Sequence, residues 1–103
     1  MSADYDVELD GAFGAWMHVE FVTDRRDVTD YAVVLLLEIG EQIETVRVYD
    51  GAHGENEMHR YTRRGGKQAA EVFYRGTLGA GMRAAIEQIT RGYQPMIEAW
   101  RRR

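Results

Sequence analysis

One segment of the chain, Tyr31 to Ile39, is almost entirely apolar, and no other segment limits the possible folds as strongly. A run of this length and composition is typical of a central β-strand that is covered on both faces. Its longest uninterrupted part, Ala32 to Leu37, is far too short to cross a bilayer, which takes about 20 apolar residues. We therefore expect a sheet built around this strand and no membrane span.

Patterns on both sides of this segment predict further strands. Alternating or β-branched residues occur in three stretches, Tyr5 to Leu9, Ala15 to Val22 and Ile43 to Asp50. The polar stretch Thr23 to Asp27 is expected to form a loop, and Gly40 with its neighbour a turn. These stretches predict strands of an antiparallel sheet.

The middle of the chain predicts one more hairpin. Met58 to Arg63 has the pattern of an extended strand, and Gly65-Gly66 is suited to a two-residue hairpin turn. The returning strand would cover Ala69 to Tyr74. Lys67 to Arg75 also has the composition of a short helix, so both alternatives stay open for this piece.

The last quarter of the chain predicts a long helix. Thr77 is suited to cap its N-terminus, and apolar residues recur at helical spacing from Leu78 to Trp100. We expect a kink or restart near Gly92 and Pro95, because proline cannot donate to the carbonyl four residues before it. The sequence thus predicts one α+β domain over residues 1–103. It would have an antiparallel sheet of five or six strands with the long C-terminal helix packed on one face.

Composition excludes several classes of protein. The absence of cysteine rules out a disulfide scaffold, a cysteine-ligated metal and a thiol nucleophile. The acidic first residues, Met1 to Asp6, lack the pattern of a signal peptide, so a soluble, cytoplasmic protein is expected.

Charge divides unevenly along the chain. Residues 1–50 carry 12 acidic and 3 basic side chains, whereas residues 51–103 carry 5 acidic and 10 basic ones. Such a division is typical of a protein with a basic surface for nucleic acid or an acidic partner, unless the two halves interleave in the fold. The pI of about 5.3 argues against a protein that coats DNA.

Most of the chemically useful residues lie between Tyr49 and Lys67. We predict that His53 and His59 act as general base and acid, because imidazole titrates near neutral pH, with Tyr49 and Asp50 orienting them. The cations of this segment would hold a phosphate and stabilise its charge. They are Arg60, Arg63, Arg64 and Lys67. Together these groups are sufficient for RNA cleavage without a metal.

Two other interpretations of the histidines remain. His53 and His59 with Glu55 or Glu57 would give a set of two histidines and one carboxylate for a metal, but the spacing matches no standard zinc motif. Alternatively, the histidines bond backbone carbonyls in a solvated hairpin connection. The glycine pair between Arg64 and Lys67 lacks the spacing of a P-loop. We expect neither a bound metal nor a cofactor.

The string Val48-Tyr49-Asp50-Gly51-Ala52-His53-Gly54, followed by His59, resembles known sequences. It is similar to small bacterial and phage proteins with a YD-x-AHG…H segment and a later helix ending in an aromatic residue. It resembles more distantly the TumE-type toxins of toxin–antitoxin pairs, which have a YDN…H-x-H segment. The likeness covers about residues 46–100, and His59-Arg60 stands where those toxins have a tighter histidine pair. It implies a toxin-like, RNA-directed role and a cognate antitoxin as partner.

Two functional hypotheses follow. The first is a toxin-like protein that binds or cleaves RNA through the residues above. The second is a non-catalytic module that binds a partner protein, or a second copy of itself as a homodimer, through a sheet edge or helix face. This hypothesis is based on the number of large apolar side chains, including Trp16, Phe21 and Trp100, which is greater than one small core must bury.

Overall fold

A computed structural model describes residues 1–103 and contains seven strands followed by one helix. The elements are β1 (Ser2–Asp10), β2 (Ala15–Asp24), β3 (Asp27–Ile39), β4 (Gln42–Asp50), β5 (Asn56–Thr62), β6 (Gly66–Lys67), β7 (Glu71–Tyr74) and α1 (Leu78–Arg102). All strands pair antiparallel in the order β1-β2-β3-β4-β5-β6, and β7 also pairs with β5. The predicted α+β architecture is confirmed. The sheet has more strands than expected because residues 68–70 divide the returning strand of the last hairpin into β6 and β7.

The core lies between α1 and one face of the sheet. Every second residue of β3 from Tyr31 to Leu37 is buried, as are Met17 and Val19 of β2. The side of α1 that faces the sheet is buried at Ala85, Ile89, Ile97 and Trp100. The alternation in the strands and the spacing of three or four in the helix are those of elements with one apolar face each.

The connection between β2 and β3 is tighter than the sequence indicates. β2 ends at Asp24 and β3 begins at Asp27, so only Arg25 and Arg26 form the turn instead of the expected loop from Thr23 to Asp27. Both arginines have positive φ angles, 52° and 76°. A two-residue hairpin turn requires such angles, and glycine or asparagine usually supplies them. The predicted loop was too long, because the segment has neither the glycine nor the asparagine that usually signals so tight a turn.

α1 covers only one face of the sheet, which corrects the expectation that β3 is covered on both. It packs over β3, β4 and β5. The residues of β3 that alternate with the core, Ala32, Val34 and Leu36, are half-buried on the uncovered side. We call this side the open face. Cross-strand partners share a face, so the strand register shows which residues of β1, β2, β4 and β5 also lie on the open face.

The start of α1 agrees with the sequence, and the restart considered near Gly92 and Pro95 does not occur. The Thr77 side chain accepts a hydrogen bond from the Ala80 amide, as an N-cap does. Pro95 lies inside the helix and does not end it; α1 runs unbroken for 25 residues. No helix in the structure combines the length and the hydropathy needed to cross a membrane.

Candidate functional site

Two predicted catalytic histidines lie beside two carboxylates at the β4–β5 pair. Asp50 and Glu57 are cross-strand partners on the open face, and His59 is on the same face two residues further along β5. His53 Nδ1 is 2.9 Å from Glu57 Oε1, and His59 Nε2 is 3.9 Å from Asp50 Oδ2. We call Asp50, His53, Glu57 and His59 the histidine cluster. The structure therefore brings His53, His59 and Asp50 to one place.

The connection between β4 and β5 is shaped by two glycines. The Gly51 amide donates to the Tyr31 carbonyl, and a Cβ at Gly51 would lie 2.9 Å from a methyl group of Leu78. Gly54 has a φ of 79°, which glycine adopts without strain. These positions let the chain turn immediately after Asp50 and return His53 over β5, where it meets Glu57.

The two histidines of the cluster have different surroundings. His59 is only 13% exposed, and its Nδ1 is 3.0 Å from the Gln68 carbonyl oxygen, which can only accept. Nδ1 therefore carries the proton, and in the neutral ring Nε2 is the basic nitrogen. His53 is 79% exposed, and the hydrogen bond that it donates to the Glu57 carboxylate raises its pKa. The cluster has the groups for proton transfer, and a catalytic role for it stays a prediction.

Tyr49 is separated from the cluster. It is fully buried on the α1 side of the sheet, since adjacent residues of a strand point to opposite faces. Its hydroxyl donates to Gln88 Oε1 of α1 at 3.0 Å, and its ring meets Phe73 edge-on with centroids 4.7 Å apart. Tyr49 thus attaches the helix to the sheet and makes no contact with the two histidines.

The predicted phosphate-binding residues gather partly at the C-terminal end of α1. The turn after β5 bonds the last turn of the helix: the Arg63 amide donates to the Trp100 carbonyl, and the Arg64 amide to that of Arg103. Between this end of α1 and the β4–β5 pair lies a groove of about 330 Å³. Four arginines line it, and we call it the arginine groove. They are Arg47, Arg60, Arg102 and Arg103.

Most of this positive charge has no carboxylate partner. Arg60 pairs with Glu71, and Arg101, next to the groove, lies 4.0 Å from Glu98. Arg47 and Arg102 have no carboxylate within ion-pair distance. The same is true of Arg63, Arg64 and Arg103. The groove therefore holds a surplus of positive charge.

Arg47 is the unusual member of the groove. Its Nε is buried and has no hydrogen-bond partner, and its nearest polar contact is a long one, 3.5 Å from a terminal nitrogen to the Tyr49 hydroxyl. Arg47 was not among the residues predicted for the site, and the sequence favoured a solvated tail at the helix C-terminus for Arg102 and Arg103. The excess of basic residues after position 50 was the only signal for the last two, and Arg47 sits in the acidic half, where nothing indicated it.

The remaining predicted cation, Lys67, lies outside the groove. It is an exposed residue of β6 opposite Tyr61, and its charge opposes only slightly the increase in the pKa of His53 that Glu57 causes. The predicted set is thus divided: Arg60 lines the groove, Arg63 and Arg64 flank it, and Lys67 is near the histidine cluster.

The histidine cluster sits in an acidic environment. Carboxylates project from the open face along β1 to β5. They include Asp4, Asp6, Glu8, Glu20, Asp30, Asp50 and Glu57. Arg47 and Arg60 are cross-strand partners, and the register turns both away from this face. A polyanion approaching the cluster would therefore be repelled, whereas the arginine groove attracts one.

No group of three or more His, Asp or Glu side chains is arranged to hold a metal ion. The set of two histidines and one carboxylate considered from the sequence is not assembled. Each histidine instead pairs with a different carboxylate, His53 with Glu57 and His59 with Asp50.

Residues 2–103 match the model of a family described as a domain of unknown function, DUF7718. Since the match covers nearly the whole chain, the protein belongs to this family. No curated protein and no solved structure matches the chain. The likeness to TumE-type toxins and a cytoplasmic location stay predictions.

Proposed function

We propose that this member of the DUF7718 family binds single-stranded RNA, with the phosphates held in the arginine groove. The observation that carries the proposal is the buried, unpartnered Nε of Arg47 at the wall of a groove lined by three more arginines. Buried polar groups are nearly always satisfied, and an exception calls for an explanation. A phosphate that accepts hydrogen bonds from the terminal nitrogens of this guanidinium would account for its place at the groove wall.

The energetics of the groove favour an anion. A guanidinium donor left without a partner costs about 1–3 kcal/mol, and more when the group is charged. Arginine binds phosphate through two parallel hydrogen bonds, which are stronger than neutral ones. Filling the groove with a phosphate would therefore give the terminal nitrogens of Arg47 a charged partner and neutralise part of the surplus charge around them.

The helix end alone does not account for the arginines. The C-terminus of a helix carries about half a negative charge, which one cation can balance. Here Arg102 and Arg103 follow Arg101 at that terminus, and Arg63 and Arg64 bond to its last carbonyls through their amides, which leaves their guanidinium groups free. The remaining cations are available for a ligand.

The size of the groove favours a single strand over a duplex. About 330 Å³ is suited to one nucleotide phosphate with its sugar, not to a double helix. Tyr61 is among the lining residues, and single-strand binding sites commonly combine cations with aromatic rings on which bases stack.

The geometry favours binding over cleavage. In the ribonuclease hypothesis, His53 and His59 flank the phosphate that the arginines hold. Here the histidines share the open face with Asp50 and Glu57, and the groove is on the α1 side of the sheet. Phosphate at the histidine cluster would have to approach several carboxylates. We therefore propose a binding protein in which the histidines take no part.

A direct binding assay tests the proposal. Fluorescence anisotropy with a labelled RNA of about 12 nucleotides, a length within the range of single-strand sites, gives the affinity of the wild type. The Arg47→Gln/Arg102→Gln variant should bind at least tenfold more weakly. The His53→Ala/His59→Ala variant should bind as the wild type does, and gels should show uncut RNA throughout.

Two results would contradict the proposal. One is a wild type without affinity for RNA at low salt. The other is loss of binding in the histidine variant with retention in the arginine variant, which would move the site to the open face. RNA cleavage that disappears in the histidine variant would restore the ribonuclease hypothesis.

A further inference from the structure

Apolar side chains form a strip that crosses the centre of the open face diagonally from β2 to β4. His18 of β2 lies beside Val34, and His59 of β5 lies beside Val48. Trp16 of β2 is the cross-strand partner of Leu36, and Val34 of β3 is the partner of Val48. All four side chains are half-buried. A central strand that is apolar on both sides is typical of a sheet covered on both faces, and α1 covers only one.

Acidic residues border this strip on both sides. Asp4, Asp6 and Glu8 alternate along β1 at one border. Asp50 and Glu57 lie at the other, on β4 and β5. Histidines pair with some of these carboxylates, His18 with Asp6 and His59 with Asp50. Carboxylates still outnumber histidines around the strip, and basic side chains on each flank of an apolar ligand would complement them.

The dimensions of the strip match one helix. Neighbouring strands are about 4.8 Å apart, so β2, β3 and β4 together span about 10 Å. An α-helix with its side chains is about 10–12 Å wide. On the other side of the sheet, α1 covers a similar width over β3, β4 and β5.

We propose that the open face binds a helix of a partner protein that carries an apolar stripe flanked by lysines or arginines. The pairing of apolar strip and acidic borders selects this occupant over a second copy of the chain. Two copies meeting face to face would bring carboxylates of both into one interface, and like charges there are costly. This surface is independent of the arginine groove, which lies on the α1 side.

Two matched peptides test the charge requirement. The first is an amphipathic helix of about 18 residues, five turns, with leucine on one face and lysine elsewhere; the second replaces each lysine with glutamate. The lysine peptide should bind the full chain, and the glutamate peptide should not. Trp16 reports the contact by a change in emission, because the other tryptophan, Trp100, is only 3% exposed in the core. Trp16→Phe should remove the emission change.

Two substitutions test the apolar requirement. Leu36→Ser removes an apolar group from the strip without a change in charge, and it should weaken binding of the lysine peptide at least tenfold. Tyr5→Ser is the control: Tyr5 is 45% exposed and pairs with core-facing Val19, so it lies on the other side of the sheet. It should leave binding unchanged. Circular dichroism verifies that both variants are folded.

Three outcomes would overturn the proposal. Equal binding of the two peptides would remove the charge argument. Unchanged affinity in Leu36→Ser would mean that the acidic surface attracts cations without an apolar site. A wild-type dimer in sedimentation that Leu36→Ser dissociates would identify a second copy as the occupant. RNA binding is a separate readout. Leu36→Ser should not change it, because Leu36 and the arginine groove lie on opposite sides of the sheet.

Discussion

At the scale of single residues, a substitution of Arg47 should affect RNA affinity and protein stability in opposite directions. Its buried Nε has no partner in the free protein, so replacement by methionine removes an unsatisfied polar group and keeps much of the side-chain volume. We predict that Arg47→Met binds RNA roughly 10- to 100-fold more weakly, the equivalent of about 1.5–3 kcal/mol for a lost charged hydrogen bond. Its free energy of unfolding should equal or exceed that of the wild type.

Anisotropy and urea denaturation measure the two quantities. Arg91→Met is the matched control, because Arg91 is an exposed arginine of α1 that pairs with Glu87 away from the groove. It should leave both almost unchanged. An Arg47→Met variant that unfolds more easily and still binds RNA would show that Arg47 serves the fold alone.

His18 gives a prediction for pH at the same scale. Its Nδ1 is 2.6 Å from Asp6 Oδ1 and its Nε2 is 3.6 Å from Glu20 Oε2. The hydrogen bond with Asp6 is the largest influence and raises its pKa. Burial opposes this increase, and the Asp6 charge, a hydrogen bond with Glu20 and the Glu20 charge add smaller increases. A raised pKa in the folded state means that protonated His18 stabilises the fold. This stabilisation is complete below the unfolded pKa of about 6.5 and is lost as pH rises through the folded pKa.

We therefore predict that His18→Gln destabilises the protein below about pH 6, and that the difference vanishes in more alkaline solution. Denaturation curves across this range measure it, and NMR titration of the imidazole gives the pKa directly. Asp6→Asn should bring that pKa back toward its ordinary value. A midpoint at or below the ordinary value in the wild type would refute the prediction.

At the scale of elements, the contact between α1 and β5 depends on one glycine. Asn56 is buried; its amide donates to the carbonyls of Gly76 and Thr77, and its oxygen accepts from the Tyr31 hydroxyl. A Cβ on Gly81 would overlap the Asn56 side chain. We predict that Gly81→Ala destabilises the fold by about 2–4 kcal/mol through overpacking and loss of these bonds.

Gly79, two residues earlier in α1, provides the control. A Cβ there would make ordinary contact with Val28, 3.6 Å from Cγ2. Alanine is a better helix former than glycine, so Gly79→Ala should stabilise the fold by up to about 1 kcal/mol. Thermal denaturation of the two variants compares them, and equal effects of both would show that the Asn56 contact is looser than described.

The elements that sequence predicted are those fixed by local pattern. The helix from Leu78 with its Thr77 cap and the strand from Gln42 to Asp50 follow from spacing and from neighbouring turn residues. The Arg25-Arg26 turn was missed because its backbone is imposed by the strands on either side. The arginine groove could not be predicted, since it joins Arg47 of β4 to residues more than 50 positions later that only the tertiary fold brings close.

At the scale of the whole molecule, the uneven charge of the chain becomes a division between two surfaces. The acidic half supplies β1 to β4 and with them most of the open face, while the basic half supplies the end of α1 and the turn after β5. The molecule measures 41 × 26 × 21 Å, so charges on its two surfaces are separated by distances comparable to these dimensions. Electrostatic interactions reach about 8 Å at physiological salt and about 30 Å at 0.01 M.

This separation makes the acidic surface matter for RNA only at low salt. We predict that Asp4→Asn/Glu8→Gln, which removes two charges from β1, changes RNA affinity less than about twofold near 0.15 M salt and strengthens it several-fold near 0.01 M. In the wild type, one phosphate in the groove and three more on the arginines around it should give a slope of about −3 in log K against log salt, since each contributes about −0.7 for a single strand. Anisotropy over a salt series measures both quantities. An equally large effect of the β1 substitutions near 0.15 M would mean that RNA lies against the open face, because only a direct contact survives that screening.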